Sequence, residues 1–273
     1  MLEFVLVPLL LAFAAAVVCG IVGTITVVRS NTYIVGAVSH TILAGLGFAQ
    51  YSNATNFLPF YVSPDVAALV TAIGVAVVIS VLQFNGRVKQ ASTLSAIWAV
   101  GMAIGLFFLS ITPGYQTDLL RYMFGSIAIA TMTDVYLVFA LAVLIVICCC
   151  CFWRGILASC FNTNLLRLNG GHAFFFELLI SIISAVAIVA LVKTVGIVLV
   201  IALISLPSIT ALGMRFRLAP SMMIGMVFTF ISLAFGILVS LFYDIEAAAP
   251  TVIIIALFAM LSLTIRKIKQ HEK

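Results

Sequence analysis

Nine runs of about 20 apolar residues follow one another along this chain, separated only by short polar punctuation. No other feature constrains the fold as much. A hydrocarbon layer holds no water to satisfy the backbone, so a single open segment persists there only as a helix. The runs are Phe4–Val28, Tyr33–Tyr51, Asp65–Gln83, Thr93–Ile111, Thr133–Trp153, Ala173–Val192, Val195–Gly213, Ser221–Tyr243 and Thr251–Ile265. Only Lys193 and Thr194 part the sixth from the seventh, which makes the seventh the weakest. The expected fold is all-α: a polytopic transmembrane helical bundle of eight to nine spans, forming one domain over residues 1–273.

Composition agrees. Hydrophobic residues make up 65% of the chain and charged residues 8%, whereas soluble domains carry about 25% charge. A water-soluble fold would expose apolar patches over most of its surface. The net charge of +5 does not indicate nucleic acid, because the basic residues stand singly between apolar runs and read as topology signals. The six cysteines form no disulfide framework: four are the run Cys148–Cys151. Consecutive helical residues step by about 100°, so these four do not converge on one metal. The Ala-rich first run resembles a signal peptide, but no basic residue precedes it and it continues past Ala16. A retained span is expected.

Punctuation supports these cuts. Pro64, Pro220 and Pro250 stand at or just before helix starts, where a missing N–H costs nothing. Asn53–Pro59 and Thr112–Gly114 read as turns. With the N-terminus outside, nine spans put Arg29, Arg87, Lys89, Arg154, Arg167, Arg215, Arg217, Arg266, Lys267, Lys269 and Lys273 in the cytoplasm. Only Arg121 and Lys193 fall outside, among Glu3, Asp65, Asp118, Asp134, Asp244 and Glu246. A shift of one span would scramble that segregation, so a cytoplasmic C-terminus is expected.

Some segments are more than lipid-facing. Asn164–His172 contains Arg167, Asn169, Gly170 and Gly171 and reads as a loop or as a short surface helix offered to a cytoplasmic partner. Tyr115–Thr131 fits a re-entrant or interfacial helix. Within the second run, Gly36, His40, Ala44 and Gly47 recur at steps of four and three and share one face. His40 falls near the bilayer midplane, about 12 Å in from Thr32. There it either hydrogen-bonds across a close helix contact or, with Ser39 beside it, lines a path for a divalent cation. Pro207 breaks the seventh run and either kinks it or forms part of a pore. The nearby Ser205, Ser208 and Thr210 are placed to satisfy carbonyls that the proline releases. Asp134 and Glu177, near span ends, are expected to be solvated. Asp65 suits a helix N-terminus.

The chain has no G-x-x-x-x-G-K-(S/T) phosphate loop, no H-E-x-x-H and no G-x-S-x-G. An enzyme is therefore not expected; transport is the better class. Transport can be driven by ATP hydrolysed elsewhere or by an ion gradient, and the latter usually brings paired half-repeats that this sequence does not show.

Val35–Gly45 reads V-G-A-V-S-H-T-I-L-A-G, Leu120–Ile127 reads L-R-Y-M-F-G-S-I, and Val195–Ala211 reads V-G-I-V-L-V-I-A-L-I-S-L-P-S-I-T-A. In that order, with the acidic stretch Tyr243–Val252, they resemble the membrane permease subunits of bacterial ABC importers for zinc, manganese and iron. The resemblance implies a bacterial inner-membrane permease that takes divalent metal as cargo and holds no stable cofactor. It implies two cytoplasmic ATP-binding subunits, a second permease copy or paralogue, an external substrate-binding protein and surrounding lipid as partners. Asn164, Arg167, Asn169, Gly170 and Gly171 would then couple to the ATPase, with Gly36, Ser39, Ala44, Gly47 and Pro207 along the path. The family pattern has aspartate where this chain has Gly36, so His40 alone would meet the metal, with low affinity.

Overall fold

A computed structural model describes residues 2–85, 90–113, 125, 127, 130–161, 172–214 and 217–271. Among them it contains ten α-helices: α1 (Leu2–Val28), α2 (Tyr33–Thr55), α3 (Pro64–Asn85), α4 (Gln90–Ile111), α5 (Met132–Cys151), α6 (Trp153–Phe161), α7 (Ala173–Val195), α8 (Ile197–Gly213), α9 (Leu218–Tyr243) and α10 (Ala248–His271). Each of the nine apolar runs coincides with one of them. Seven helices, α1 to α5, α7 and α9, are long and apolar enough to cross a membrane. The other two are shorter, namely α8 and the apolar Ala248–Ser262 part of α10. At 1.5 Å per residue the 17 residues of α8 reach about 25 Å, a little under a hydrocarbon core of about 30 Å. The protein is a multi-pass membrane protein.

Most boundaries shift by a few residues from the sequence reading, and two of the shifts change a segment's character. The fifth run does not continue into Trp153: α5 stops at Cys151, and the Phe152 N–H bonds to the Cys148 carbonyl. The nine residues of α6 follow, burying Ile156 and Ser159; at about 14 Å they are far too short to cross. The turn after α2 begins later than Asn53, because the helix runs on to Thr55.

Three helices end alike, and none uses glycine. Ser30, Asn56 and Asp244 adopt left-handed backbone with φ of 55°, 51° and 54°. The next N–H then reaches back five residues: Asn31 to Thr26, Phe57 to Ser52 and Ile245 to Ser240. This Schellman closure satisfies carbonyls that a helix end leaves open. Asn53 clamps the hairpin that follows α2, its amide donating to the Val62 carbonyl at 2.8 Å and accepting from the Val62 N–H at 2.9 Å.

The helices gather into two compact units. One comprises residues 1–32, 121–153 and 190–273, the other residues 33–120 and 154–189. In the first, α1 packs against α9, α8 and α5, and α10 packs against α8 and α9. Small residues permit this. Gly225 stands against the backbone of Gly20, and Gly23 against the Ile204 carbonyl and the Ser208 hydroxyl. Lipid tails are as apolar as leucine, so close van der Waals contact rather than flight from water holds such helices together.

In the second unit α2 is the centre, flanked by α3 and α4. Of its span 72% is buried, against 28% for α3 and 17% for α4, so α2 is the sheathed helix and its neighbours are the sheath. Several hydroxyls inside the helices turn back to their own chain, as Thr41 does to the Ala37 carbonyl and Ser80 to that of Ala76.

Candidate functional site

The predicted site residues of α2 fall on its packed body. Gly36, Ser39 and Gly47 are buried, while His40 and Ala44 are half-buried. His40 is the eighth residue of the helix, roughly 11 Å along from Tyr33. Its Nδ1 is buried and has no hydrogen-bond partner, and the same holds for the Ser39 hydroxyl. His40 therefore makes no cross-helix hydrogen bond through Nδ1.

What covers His40 is an aromatic ring. Trp98 of α4 stacks on the imidazole with centroids 4.6 Å apart and planes 19° from parallel. The far edge of the same indole covers Gly36: Cε3 and Cζ3 lie 3.6 and 3.7 Å from where a Cβ would stand. The sequence gives no signal for Trp98, which is one apolar residue in an apolar run, 58 positions from its partner. Glycines set the register of the two helices. A Cβ on Gly101 would meet Thr41 Oγ1 at 2.6 Å, and one on Gly105 would meet the Leu43 carbonyl carbon at 2.6 Å. A Cβ on Gly47 would in turn meet the Gly105 carbonyl oxygen at 2.7 Å.

Among the described residues, no three His, Cys, Asp or Glu side chains come together as a metal cage. The arrangement offers a cation one imidazole. A ring nitrogen is a ligand for borderline ions such as zinc and a poor one for hard ions that prefer oxygen.

Pro207 lies buried within α8, in the other unit. Its missing N–H leaves the Leu203 carbonyl without the usual helical donor. The neighbouring hydroxyls bond elsewhere than expected: Ser205 donates to Ile201 at 2.5 Å and Thr210 to Leu206 at 2.9 Å. Ser208 is buried with an unpartnered hydroxyl. Asn164, Arg167, Asn169, Gly170 and Gly171 lie outside the described residues, as does most of the stretch 115–131.

Two of the resembling segments do meet. Gly125, buried with φ of 66°, presses on the Val195 carbonyl and the N–H of Gly196, which has φ of 89° and opens α8. Of the two carboxylates near span ends, Asp134 is part-exposed, as expected, and Glu177 is not. Asp134 forms a capping box with Thr131: each side chain meets the other's backbone N–H, at 3.0 Å and 3.4 Å. Glu177, expected to be solvated, is buried at 4% exposure among the first turns of α7. The cysteines are free thiols.

Known proteins are similar to this chain in sequence and in fold. A probable metal transport system membrane protein of Chlamydia muridarum is 35% identical over 174 residues, covering 63% of this chain and 59% of that protein's length. The manganese transport system membrane protein MntC of Halalkalibacterium halodurans is 26% identical across 91% of this chain and 83% of its own length. The solved structure of PsaBC from Streptococcus pneumoniae, in complex with Fab, shares the fold with a TM-score of 0.80 at 21% identity. It covers 95% of this chain and 90% of the other. The sequence model of the ABC 3 transport family matches residues 1–266, and the chain belongs to that family.

Proposed function

We propose that this chain is the membrane-spanning permease subunit of an ATP-driven importer of zinc, manganese or iron. The observation that carries the reading is the family match over residues 1–266; the metal follows from what the relatives are named for. The chain acts as one permease domain in a bacterial inner membrane, with nine crossings, the N-terminus outside and the C-terminus in the cytoplasm. The charge segregation supports that topology. A second permease, copy or paralogue, completes the path, an external protein delivers the metal, and two cytoplasmic ATP-binding subunits dock at residues 164–171. Gly36, Ser39, Ala44, Gly47 and Pro207 border the route and His40 is the metal ligand on it. Gly36 supplies no carboxylate, so His40 holds the ion weakly and lets it pass.

The test is uptake of zinc, manganese and iron by vesicles holding the assembled complex. Accumulation that needs ATP hydrolysis and ignores uncouplers supports the reading, and an at least tenfold loss in His40→Ala supports His40 as ligand. Uptake that collapses with uncouplers and persists without ATPase would overturn the first. Unchanged uptake in His40→Ala would remove His40 from the route.

A further inference from the structure

A ligating histidine is normally oriented by a hydrogen bond on its second ring nitrogen. His40 lacks that device at Nδ1, which is buried without a partner. In its place stands the Trp98 ring, stacked at 4.6 Å and 19°. Imidazole coordinates through lone pairs in its own plane. An indole against the face lies outside that plane, so it hinders the ring from turning without itself occupying a coordination direction. The stack cannot slide along α2 either, because Gly101 and Gly105, three and seven residues beyond Trp98, are seated on the backbone of Thr41 and Leu43.

The same indole reaches over Gly36. Of the three helices of this cluster, α2 and α4 carry no Asp, Glu, Lys or Arg, and α3 carries only Asp65 in its first turn. Water and oxygen ligands are thus kept from one side of the imidazole by a flat apolar surface. Resting on the permease reading above, we infer that Trp98 is the positioning and specificity-determining residue of the metal path. It fixes the His40 ring by stacking and, by covering Gly36, shapes a site of one nitrogen that favours transition metals over hard ions such as Mg2+.

Two measurements test this. The first is uptake by the assembled complex carrying Trp98→Phe, Trp98→Ala or His40→Ala, at matched complex levels. Trp98→Phe, which keeps an aromatic face, stays within about twofold of the parent. Trp98→Ala raises the half-saturating zinc or manganese concentration about tenfold or more, as loss of an orienting group does, with the maximal rate largely kept and Mg2+ competing better. The second uses the full chain in detergent with Trp153→Phe, which leaves Trp98 the only tryptophan. Added Co2+ quenches its emission, and His40→Ala abolishes the quenching. Uptake that needs His40 but is indifferent to Trp98→Ala overturns the proposal, as does quenching that survives His40→Ala. A complex that moves no metal at all instead defeats the permease reading, and the Co2+ titration still decides the stack.

Discussion

Gly101 sits on Thr41 so closely that a methyl group in place of its hydrogen would stand 2.6 Å from the threonine hydroxyl and 2.8 Å from its Cα. Backbone is in the way, so the clash is relieved only by moving a helix. Gly101→Ala should therefore cost about 1–3 kcal/mol, the usual penalty of overpacking. The check is a thermal melt of the purified chain in detergent. Gly74 of α3 is the control: nothing lies within 4 Å of its would-be Cβ. There alanine should stabilise by about 0.5–1 kcal/mol through better helix propensity, and a melt that falls would contradict the argument.

Gly36→Asp introduces a carboxylate one helical turn before His40. Its Cβ fits, at 3.6 Å from the indole, although the carboxylate must share that space with Trp98. The half-saturating manganese concentration in vesicle uptake should fall about tenfold, about 1.4 kcal/mol for one added oxygen ligand. A slower maximal rate should accompany it, since a better-held ion leaves more slowly. Unchanged half-saturation would show that no ion pauses beside His40.

Thr131 and Asp134 cap α5 reciprocally. Thr131→Val or Asp134→Ala should each lower stability by about 1 kcal/mol. The double substitution should cost less than the sum, because either change already breaks the shared box. Additive melts would mean that the two caps act independently.

Asp244 holds φ of 54° at the end of α9, a conformation that costs glycine least. Asp244→Gly should leave the Ile245 to Ser240 bond in place and stabilise by up to about 1 kcal/mol of relieved backbone cost, read as a higher melting temperature. A lower melt would show that the aspartate side chain contributes more than its conformation costs.

The sequence made the helices legible because each needs about 20 apolar residues and little else can be built from such text. It did not show the break at Phe152. Apolar residues run unbroken through the cysteines into Trp153, so packing rather than pattern ends α5. Ser30, Asn56 and Asp244 were equally silent, since a left-handed helix end is usually announced by glycine. The burial of Glu177 is hidden for a related reason: distance from a span end says nothing about which neighbours close over a side chain. His40 stood out, being the one histidine in an apolar run. The ring that covers it did not, because a stack between residues 40 and 98 is tertiary and leaves no local trace.

Gly125 and Gly196 have backbone angles that side-chain-bearing residues resist, and Gly125 lies directly against the Val195–Gly196 peptide. The consequence concerns interchangeability. At exposed apolar positions of the spans, leucine, valine and phenylalanine serve the bilayer about equally well. A codon-randomised library selected for assembled protein should tolerate such swaps freely while returning glycine alone at 125 and 196. In a chain whose letters are mostly fungible, those two act as fixed spelling.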